Sequence, residues 1–447
     1  MMENRILAKI IRTDSKGVFV YDGLTSRIIS VAPGNCTETI YQDEDIISFL
    51  NQRGFLREGN FVKANPKINF EAYRNFLADE IPALVLQITR SCNLRCSYCI
   101  YSGNYSHMRQ FAEEHMSPEV MIQSLDFYAA HSSGPSKADI SFYGGEPLLF
   151  FSMITSGVEY AKKIFKDKPL EISISTNGLL LNEQVCQWLS DNPIVKVVIT
   201  LNGSFHDRFR KTPSGKGSFE TIMNNLKLLQ ENFPHIFEKQ ISFIANYFSF
   251  AEIAELRKFY KEQIGKPPEI LNRIRRDMGN ETIKKFFPSD EECEQSARRA
   301  LQKEFISNSD DNFLSLLYKA RIELLDTRKI FSMEDGMEIA CCLPFSVRLF
   351  VRTDGKFNVC ERTGDFFTLG DLNYGFDEEA IQQAIDEVKQ FVNRNCASCW
   401  AQRICLICFQ NMVDEHGKIR KKIPSHICKN MRQNLYELLQ IYCEVYG

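Results

Sequence analysis

Cys92, Cys96 and Cys99 form a Cys-x-x-x-Cys-x-x-Cys run directly after the apolar stretch Ala83-Leu84-Val85-Leu86-Gln87-Ile88-Thr89. Three thiolates at this spacing can hold three irons of a 4Fe-4S cluster and leave the fourth iron without a ligand from the protein, a place for chemistry. A second concentration follows near the C-terminus: Cys341, Cys342, Cys360, Cys396, Cys399, Cys405, Cys408 and Cys428. The chain has fifteen cysteines. In a reducing compartment such clustering argues for metal ligation over structural disulfides. Zinc is the competing reading, needing a distant fourth ligand at the first run and a module of paired Cys-x-x-Cys motifs at the second. Five residues between Cys399 and Cys405 is short beside the spacing of zinc ribbons.

These residues need elements to position them. From residue 83 short apolar runs alternate with amphipathic segments, the pattern of β/α units and a parallel sheet. Strands are expected at 83–89, 139–143, 170–175, 195–200 and 240–246. The helix expected over 118–130 starts with Ser117 as cap and Pro118 in its first turn, and Met121, Leu125 and Tyr128 fall on one face. In a parallel β/α barrel the loops after the strands build the active site. Cys92, Cys96 and Cys99 follow the first strand, Gly144-Gly145-Glu146-Pro147 the second, Ser175-Thr176-Asn177-Gly178 the third and Asn202-Gly203 the fourth. Glycines allow close backbone approach, and the Glu146 carboxylate can accept hydrogen bonds from an amino group.

Upstream, residues 5–31 read as strands broken by the turn pair Asp22-Gly23, followed by a helix at 43–53. This module of about 70 residues is near the lower size for independent folding and is expected to lean on its neighbour. Residues 266–335 are charged and helix-prone and read as a bridge. Ile381, Ala384, Ile385, Val388, Phe391 and Val392 recur at helical spacing, as do Met431, Leu435, Leu438 and Tyr442 in a closing helix.

With 54 basic and 57 acidic residues and a pI near 6.2, the 447-residue chain has no charge bias favouring nucleic acid or a membrane surface. It opens without a secretory signal or membrane span and is expected to be cytoplasmic. Its length predicts two or three domains.

The run from Cys92 to Cys99 with a downstream Gly-Gly-Glu-Pro resembles the radical S-adenosylmethionine (SAM) superfamily. The resemblance implies an α/β fold, a partial (β/α)6 TIM-type barrel, in which SAM chelates the open iron. The reduced cluster then cleaves SAM to a 5'-deoxyadenosyl radical that abstracts hydrogen from substrate. It further implies that Gly144, Gly145, Glu146 and Pro147 bind SAM, with Ser175, Asn177 and Asn202 contacting its sugar or methionine part. Asn202 stands where many relatives carry Asp.

The C-terminal cysteines resemble the SPASM extension, which holds two auxiliary 4Fe-4S clusters in many peptide-modifying radical SAM enzymes. By that resemblance Cys396, Cys399, Cys405 and Cys428 hold one cluster and Cys342, Cys360 and Cys408 the other. Two residues separate Cys405 from Cys408 where the usual pattern has three. The second cluster either takes the adjacent Cys341 as its fourth ligand or keeps an open iron able to bind a substrate thiolate. Glu361 follows Cys360, where sulfatase-maturing relatives carry an Asp thought to take a substrate proton, and it is the candidate catalytic residue.

The N-terminal module resembles the winged-helix-like precursor-recognition element of peptide maturases, able to bind a leader by strand addition. The expected division is 1–80 recognition module, 81–265 barrel, 266–335 bridge, 336–430 SPASM domain and 431–447 C-terminal helix. The surroundings of Cys360 and Cys396 resemble maturases of Cys-rich peptides. The implied activity is thioether formation between a Cys sulfur and a carbon of another residue in a ribosomally made precursor. The implied cofactors are SAM and three 4Fe-4S clusters, and the implied partners a precursor peptide with its leader and a reductant protein such as a flavodoxin or ferredoxin. Formylglycine formation on a sulfatase, and a zinc or iron-sulfur binding module without radical chemistry, are the alternatives.

Overall fold

Short β-branched runs at the N-terminus pair into an antiparallel meander of β1 (Ala8–Arg12), β2 (Val18–Asp22) and β3 (Ile28–Val31). The computed structural model describes residues 7–31, 44–57, 70–105, 108–274, 281–308, 310–331, 342–414 and 416–447. The chain divides into two units, one of residues 1–69, 299–342 and 383–447, the other of residues 70–298 and 343–382.

In the first unit all five residues of β2 are buried. Val20 and Leu56 form a small core with Ile10, Val31, Ile47, Leu50 and Phe55, and the helix Glu44–Gln52 supplies two of these. Tyr21 meets Trp400 edge-on at 6.0 Å between centroids. The turn after β2 is built by the Asp22 carboxylate, which accepts from Leu24 N–H at 3.0 Å and the Thr25 hydroxyl at 2.8 Å. Gly23 is required at this turn, because a Cβ there would collide with the Trp400 and Leu7 carbonyl oxygens. Arg403 Nε donates to the Leu24 carbonyl at 3.2 Å, and Arg328 Nε to that of Ser26 at 2.7 Å. Within this unit the module thus leans on the cysteine-bearing C-terminal stretch and on the segment of Arg328.

In the second unit six parallel strands lie side by side in chain order: β4 (Leu84–Thr89), β5 (Ala138–Gly144), β6 (Leu170–Thr176), β7 (Val195–Thr200), β8 (Ile241–Tyr247) and β9 (Ile270–Arg273). Helices alternate with the first five, as in a partial barrel. Ser117 caps the helix Pro118–Ala130, accepting from Val120 N–H at 3.2 Å, and Met121, Leu125 and Tyr128 are buried as their spacing predicts. β4 does not close on β9. It pairs in parallel with β10 (Leu349–Val351), which continues antiparallel through β11 (Lys356–Asn358), β12 (Thr368–Asp371) and β13 (Gly375–Phe376).

The expected strands fall within two residues of those observed, but two expected boundaries do not hold. The segment expected as a bridge supplies the sixth barrel strand, β9, in its first part, while residues 299–331 belong with the first unit. Ile270-Leu271-Asn272-Arg273 is too short to announce itself by alternation. The segment expected as one SPASM domain is likewise shared, because residues 343–382 extend the barrel sheet and residues from 383 onward do not.

Alternation along β5 and β6 decides what the barrel encloses. Ala138, Ile140, Phe142, Ile172 and Ile174 are buried beneath helices. Their alternates Asp139, Ser141, Tyr143, Ser173 and Ser175 stay partly open on the opposite face, with Ser141 and Ser173 hydroxyls 2.6 Å apart. A complete barrel fills this space with branched apolar side chains. Here the inner face is polar.

Candidate active site and cysteine clusters

The loop after β4 is held by its own backbone. Gly145 N–H donates to the Thr89 carbonyl at 2.8 Å and Glu146 N–H to that of Ser91 at 2.9 Å, so the Gly-Gly-Glu segment runs against the residues just before Cys92. Gly144 has φ +141°, and a Cβ on it would collide with Thr89 O, as one on Gly145 would with Ser91 O. The glycines therefore serve a close approach between two loops of the chain itself. On the other side Arg95 N–H and Ser97 N–H donate to the carbonyls of Lys211 and Phe209 at 2.6 and 2.9 Å.

The three sulfurs sit in a polar cradle. Leu94 N–H points at Cys92 Sγ and Tyr101 N–H at Cys99 Sγ, each at 3.4 Å, and Asn177 Nδ2 lies 3.9 Å from Cys92 Sγ. Burial pushes the Cys92 thiol up to about 12, with Glu146 and Cys96 adding to the effect. Burial also raises Cys96 and Cys99, the latter further through its two fellow cysteines, while Arg210 opposes the rise at all three. Three soft donors within electrostatic reach of one another, with N–H groups aimed at two of them, fit an iron-sulfur cluster, whose binding would release thiol protons.

Glu146 is fully buried and bridges two loops. Its Oε1 accepts from Leu148 N–H at 3.1 Å and the Thr176 hydroxyl at 2.7 Å, and its Oε2 from Asn177 N–H at 2.7 Å. Burial raises its pKa and these bonds oppose the rise. Two donors on Oε1 fill its lone pairs, leaving capacity at Oε2. Pro147 is buried and opens the short helical turn Pro147–Phe150, and Ser175 is half-buried near the end of β6. Asn202 uses both ends of its amide internally: Nδ2 donates to Tyr98 Oη at 3.0 Å and Oδ1 accepts from Asn246 N–H at 2.9 Å.

Sequence reasoning missed Thr176, Tyr98, Arg210 and Asn246. Tyr98 stands beside Cys99, and its phenol oxygen also meets Arg210 Nη1 at 3.1 Å and Asn246 Nδ2 at 3.2 Å. Arg210 is 4 % exposed, and nothing in its local sequence marks it as buried. His206 is fully buried, and its Nδ1 accepts from Asn202 N–H at 3.3 Å. Asp207 Oδ1 accepts from Ser218 and Phe219 N–H at 2.7 and 2.9 Å, at the start of the helix Phe219–Asn232.

Glu361 lies in the same unit. Its Oε1 is 3.1 Å from Arg348 Nη1, and its carbonyl accepts from Arg109 Nη1 at 2.9 Å. Burial first, and then the charges of Tyr101, Glu361 and Cys99, raise Tyr143, so the Glu361 carboxylate and the Cys99 thiol each lie within electrostatic reach of that phenol.

In the first unit Cys396, Cys399, Cys405 and Cys428 line one cavity, with Val392, Ile407 and Arg432 among its walls. Burial pushes Cys396 up to about 12 and Cys405 up to about 11, with the other cysteines of the set adding to each. The helix Glu378–Cys396 presents the first of these cysteines, and all six of its expected apolar positions are buried. Cys342 and Cys408 are exposed in this unit, and the half-buried Cys360 belongs to the other. Cys341 and Cys36 lie outside the described residues. Cys186 and Cys443 are buried singly, and Cys293 is exposed. Among the described residues no group of three or more His, Cys, Asp or Glu side chains is arranged to hold a metal ion. A tetrahedral zinc ion would draw its sulfurs to within about 4 Å of one another, whereas a cubane spreads its thiolates over separate irons.

Residues 86–260 match the family model of the radical SAM superfamily. Those residues form a radical SAM domain. A serine-type anaerobic sulfatase-maturating enzyme of Bacteroides thetaiotaomicron is 28 % identical to this chain over 187 residues, covering 41 % of it and 44 % of the relative. The match thus spans less than half of that relative's length. A cysteine-type anaerobic sulfatase-maturating enzyme of Clostridium novyi is 24 % identical over 302 residues, 66 % of this chain and 76 % of the relative. Among solved structures, native anSMEcpe with bound AdoMet and Kp18Cys peptide superposes with a TM-score of 0.60 at 16 % identity, over 80 % of this chain and 97 % of the other. That likeness establishes the fold, a partial barrel with a C-terminal extension. The superfamily implies SAM and one 4Fe-4S cluster, and the cysteine loop after β4 is suited to hold that cluster. Among the described residues no helix is long and apolar enough to cross a membrane.

Proposed function

We propose that this radical SAM enzyme modifies a ribosomally made peptide by joining a cysteine sulfur to a carbon of another residue. The carrying observation is the fusion of the Cys92–Cys96–Cys99 loop to the Gly-Gly-Glu loop beside a polar inner barrel face that Glu361 serves. When bound, the cluster and SAM supply a hydrogen-abstracting radical. The cysteine loop holds the cluster, Gly144, Gly145, Glu146, Pro147, Ser175, Asn177 and Asn202 form the SAM surroundings, and Glu361 accepts the thiol proton. The balance is loss of one C–H hydrogen atom, one thiol proton and one electron for each C–S bond made. Auxiliary clusters on Cys396, Cys399, Cys405 and Cys428, and on Cys342, Cys360 and Cys408 with or without Cys341, would take that electron. The three-stranded N-terminal sheet suits leader capture at an edge strand.

The sulfatase-maturating relatives favour a second reading, formylglycine formation on a peptide cysteine or serine. Anaerobic incubation of reconstituted enzyme, SAM and dithionite separates the two. A Cys-rich precursor should lose two hydrogens per link with its thiols blocked to alkylation, and a sulfatase peptide should be unchanged. Aldehyde formation on the sulfatase peptide instead would support the second reading. Iron near background with no 5'-deoxyadenosine would overturn both.

A further inference from the structure

Residues 416–432 carry six lysines and arginines and no aspartate or glutamate, in a chain whose net charge is −3. Lys418, Lys421, Lys422 and Lys429 are exposed. Ile423 and Ile427 are buried and pin the stretch from within, so the cations flanking them face water. Asp414, just upstream, turns its Oδ1 to the backbone N–H groups of His416 and Lys418, each at 2.9 Å. Among the described residues no carboxylate pairs with the four exposed lysines. Like charges gathered in one stretch repel one another, a penalty that an anionic partner reverses.

This stretch is tied to the wall of the four-cysteine cavity. Asn395 lines that cavity together with Cys396, Cys399, Cys405 and Cys428. Its Nδ2 donates to the Lys421 carbonyl at 3.3 Å, and its Oδ1 accepts from Ile423 N–H at 3.1 Å. The helix Ser425–Tyr446 begins two residues further on and brings Cys428 and, one turn later, Arg432 into the same wall. Lys429, exposed, stands between these two in sequence. Basic face and cavity thus share one backbone, with the lysines toward solvent and the sulfurs toward the cavity.

The make-up of the face selects the kind of encounter. Stable protein interfaces are depleted in lysine and centre on aromatic or arginine anchors, whereas residues 416–432 contain no phenylalanine, tyrosine or tryptophan. Electron-transfer partners meet over small surfaces and part again, steered together by opposite charge. Of the anions such a face attracts, a redox carrier is the one whose work depends on nearness to those sulfurs. We propose that residues 418–432 dock an acidic one-electron carrier protein beside the site of Cys396, Cys399, Cys405 and Cys428. The oxidised carrier takes up the one electron released for each C–S bond made, is reduced by one electron and departs. The inference rests on the auxiliary-cluster reading above and adds where its electron goes.

The probe is oxidised flavodoxin with labelled backbone amides, titrated by NMR with the reconstituted holoenzyme. The variant Lys418→Gln/Lys421→Gln/Lys422→Gln/Lys429→Gln should bind it about tenfold more weakly, the combined effect of four exposed charge pairs, and rising salt should remove most of the wild-type affinity. A control with glutamine at Lys163, Lys166, Lys227 and Lys261, exposed lysines of the barrel unit, should bind as the wild type does. Carbodiimide coupling joins lysine amines to carboxylates in contact with them, and mass spectrometry should place flavodoxin on Lys418, Lys421, Lys422 or Lys429. Equal binding by the two variants, coupling at the barrel lysines or wild-type affinity indifferent to salt overturns the proposal. So does RNA that binds this face more tightly than flavodoxin. Iron content and circular dichroism report whether each variant folds, and the coupling and salt measurements on the wild type need no variant. SAM cleavage under dithionite without flavodoxin binding refutes this surface alone, whereas iron sufficient only for Cys92, Cys96 and Cys99 refutes the auxiliary-cluster reading and the proposal with it.

Discussion

Tyr98→Phe removes one oxygen and nothing else, and the surroundings of that oxygen set the cost. Arg210 Nη1 at 3.1 Å and Asn202 Nδ2 at 3.0 Å both donate to it, from residues 4 % and 0 % exposed. The Asn202 amide cannot turn away, because its Oδ1 accepts from the Asn246 backbone N–H at 2.9 Å. Asn246 Nδ2 makes the longest of the three contacts, 3.2 Å, while its Oδ1 accepts from Asn272 Nδ2 at 2.7 Å, and only the two shorter contacts enter the sum. A lost bond from a charged donor is worth roughly 1.5–3 kcal/mol and one from a neutral amide about 1 kcal/mol. The total is about 3 kcal/mol, or a factor of more than 100 in the folding equilibrium. Urea unfolding of the metal-free protein under reducing conditions, followed by far-ultraviolet circular dichroism, measures it through the midpoint at constant slope. Since Tyr98 lies between Cys96 and Cys99, the reconstituted variant should also show an altered electron paramagnetic resonance response to SAM. A loss below about 0.5 kcal/mol would refute the claim that this phenol gathers donors from the loop after β7, from β8 and from the Arg210 segment.

Gly145→Ala should keep all three ligand cysteines yet cost about 1–3 kcal/mol, because its Cβ meets the Ser91 backbone and the cysteine loop must retreat; unchanged thermal stability together with unchanged iron and SAM binding would contradict that contact. Burial and Arg210 push His206 down to about 2 from 6.5, so below pH 6.5 the unfolded chain binds a proton that the folded chain refuses. Stability from this residue is therefore complete above 6.5 and falls toward pH 2 by up to about 1.4 kcal/mol per pH unit; urea titrations of wild type and His206→Asn between pH 7 and 5 should show the shallower slope in the variant, and parallel slopes would count against a buried neutral imidazole. Gly23→Ala drives a Cβ into the Trp400 carbonyl, so hydrogen exchange should rise in β2 and in residues 399–405 together. Exchange confined to β2 would show that the two segments do not share a core.

Much of this molecule is written locally. Three thiols at Cys92, Cys96 and Cys99, two glycines before Glu146 and a run of five β/α units can each be read from short windows, because cluster ligation, backbone approach and helix periodicity are short-range requirements. The helix Glu378–Cys396 shows the same legibility, with every expected apolar position buried. What folding alone decided are relations between distant segments. The glycines of residues 144–145 turned out to serve the backbone of residues 89–91, and the Asp22-Gly23 turn the carbonyl of Trp400, hundreds of residues away. Arg210, Asn246 and Arg109 carry no local mark of their burial, since a charged side chain is buried only where several segments together pair it. β10 joined the sheet beside β4 and β9 beside β8 although neither run is long enough to show a period, because a strand's place in a sheet depends on what is already beside it. Composition and spacing settled which chemistry the chain is equipped for; tertiary packing settled which buried polar groups surround it, because desolvation and hydrogen bonding act only between groups that the fold has brought together.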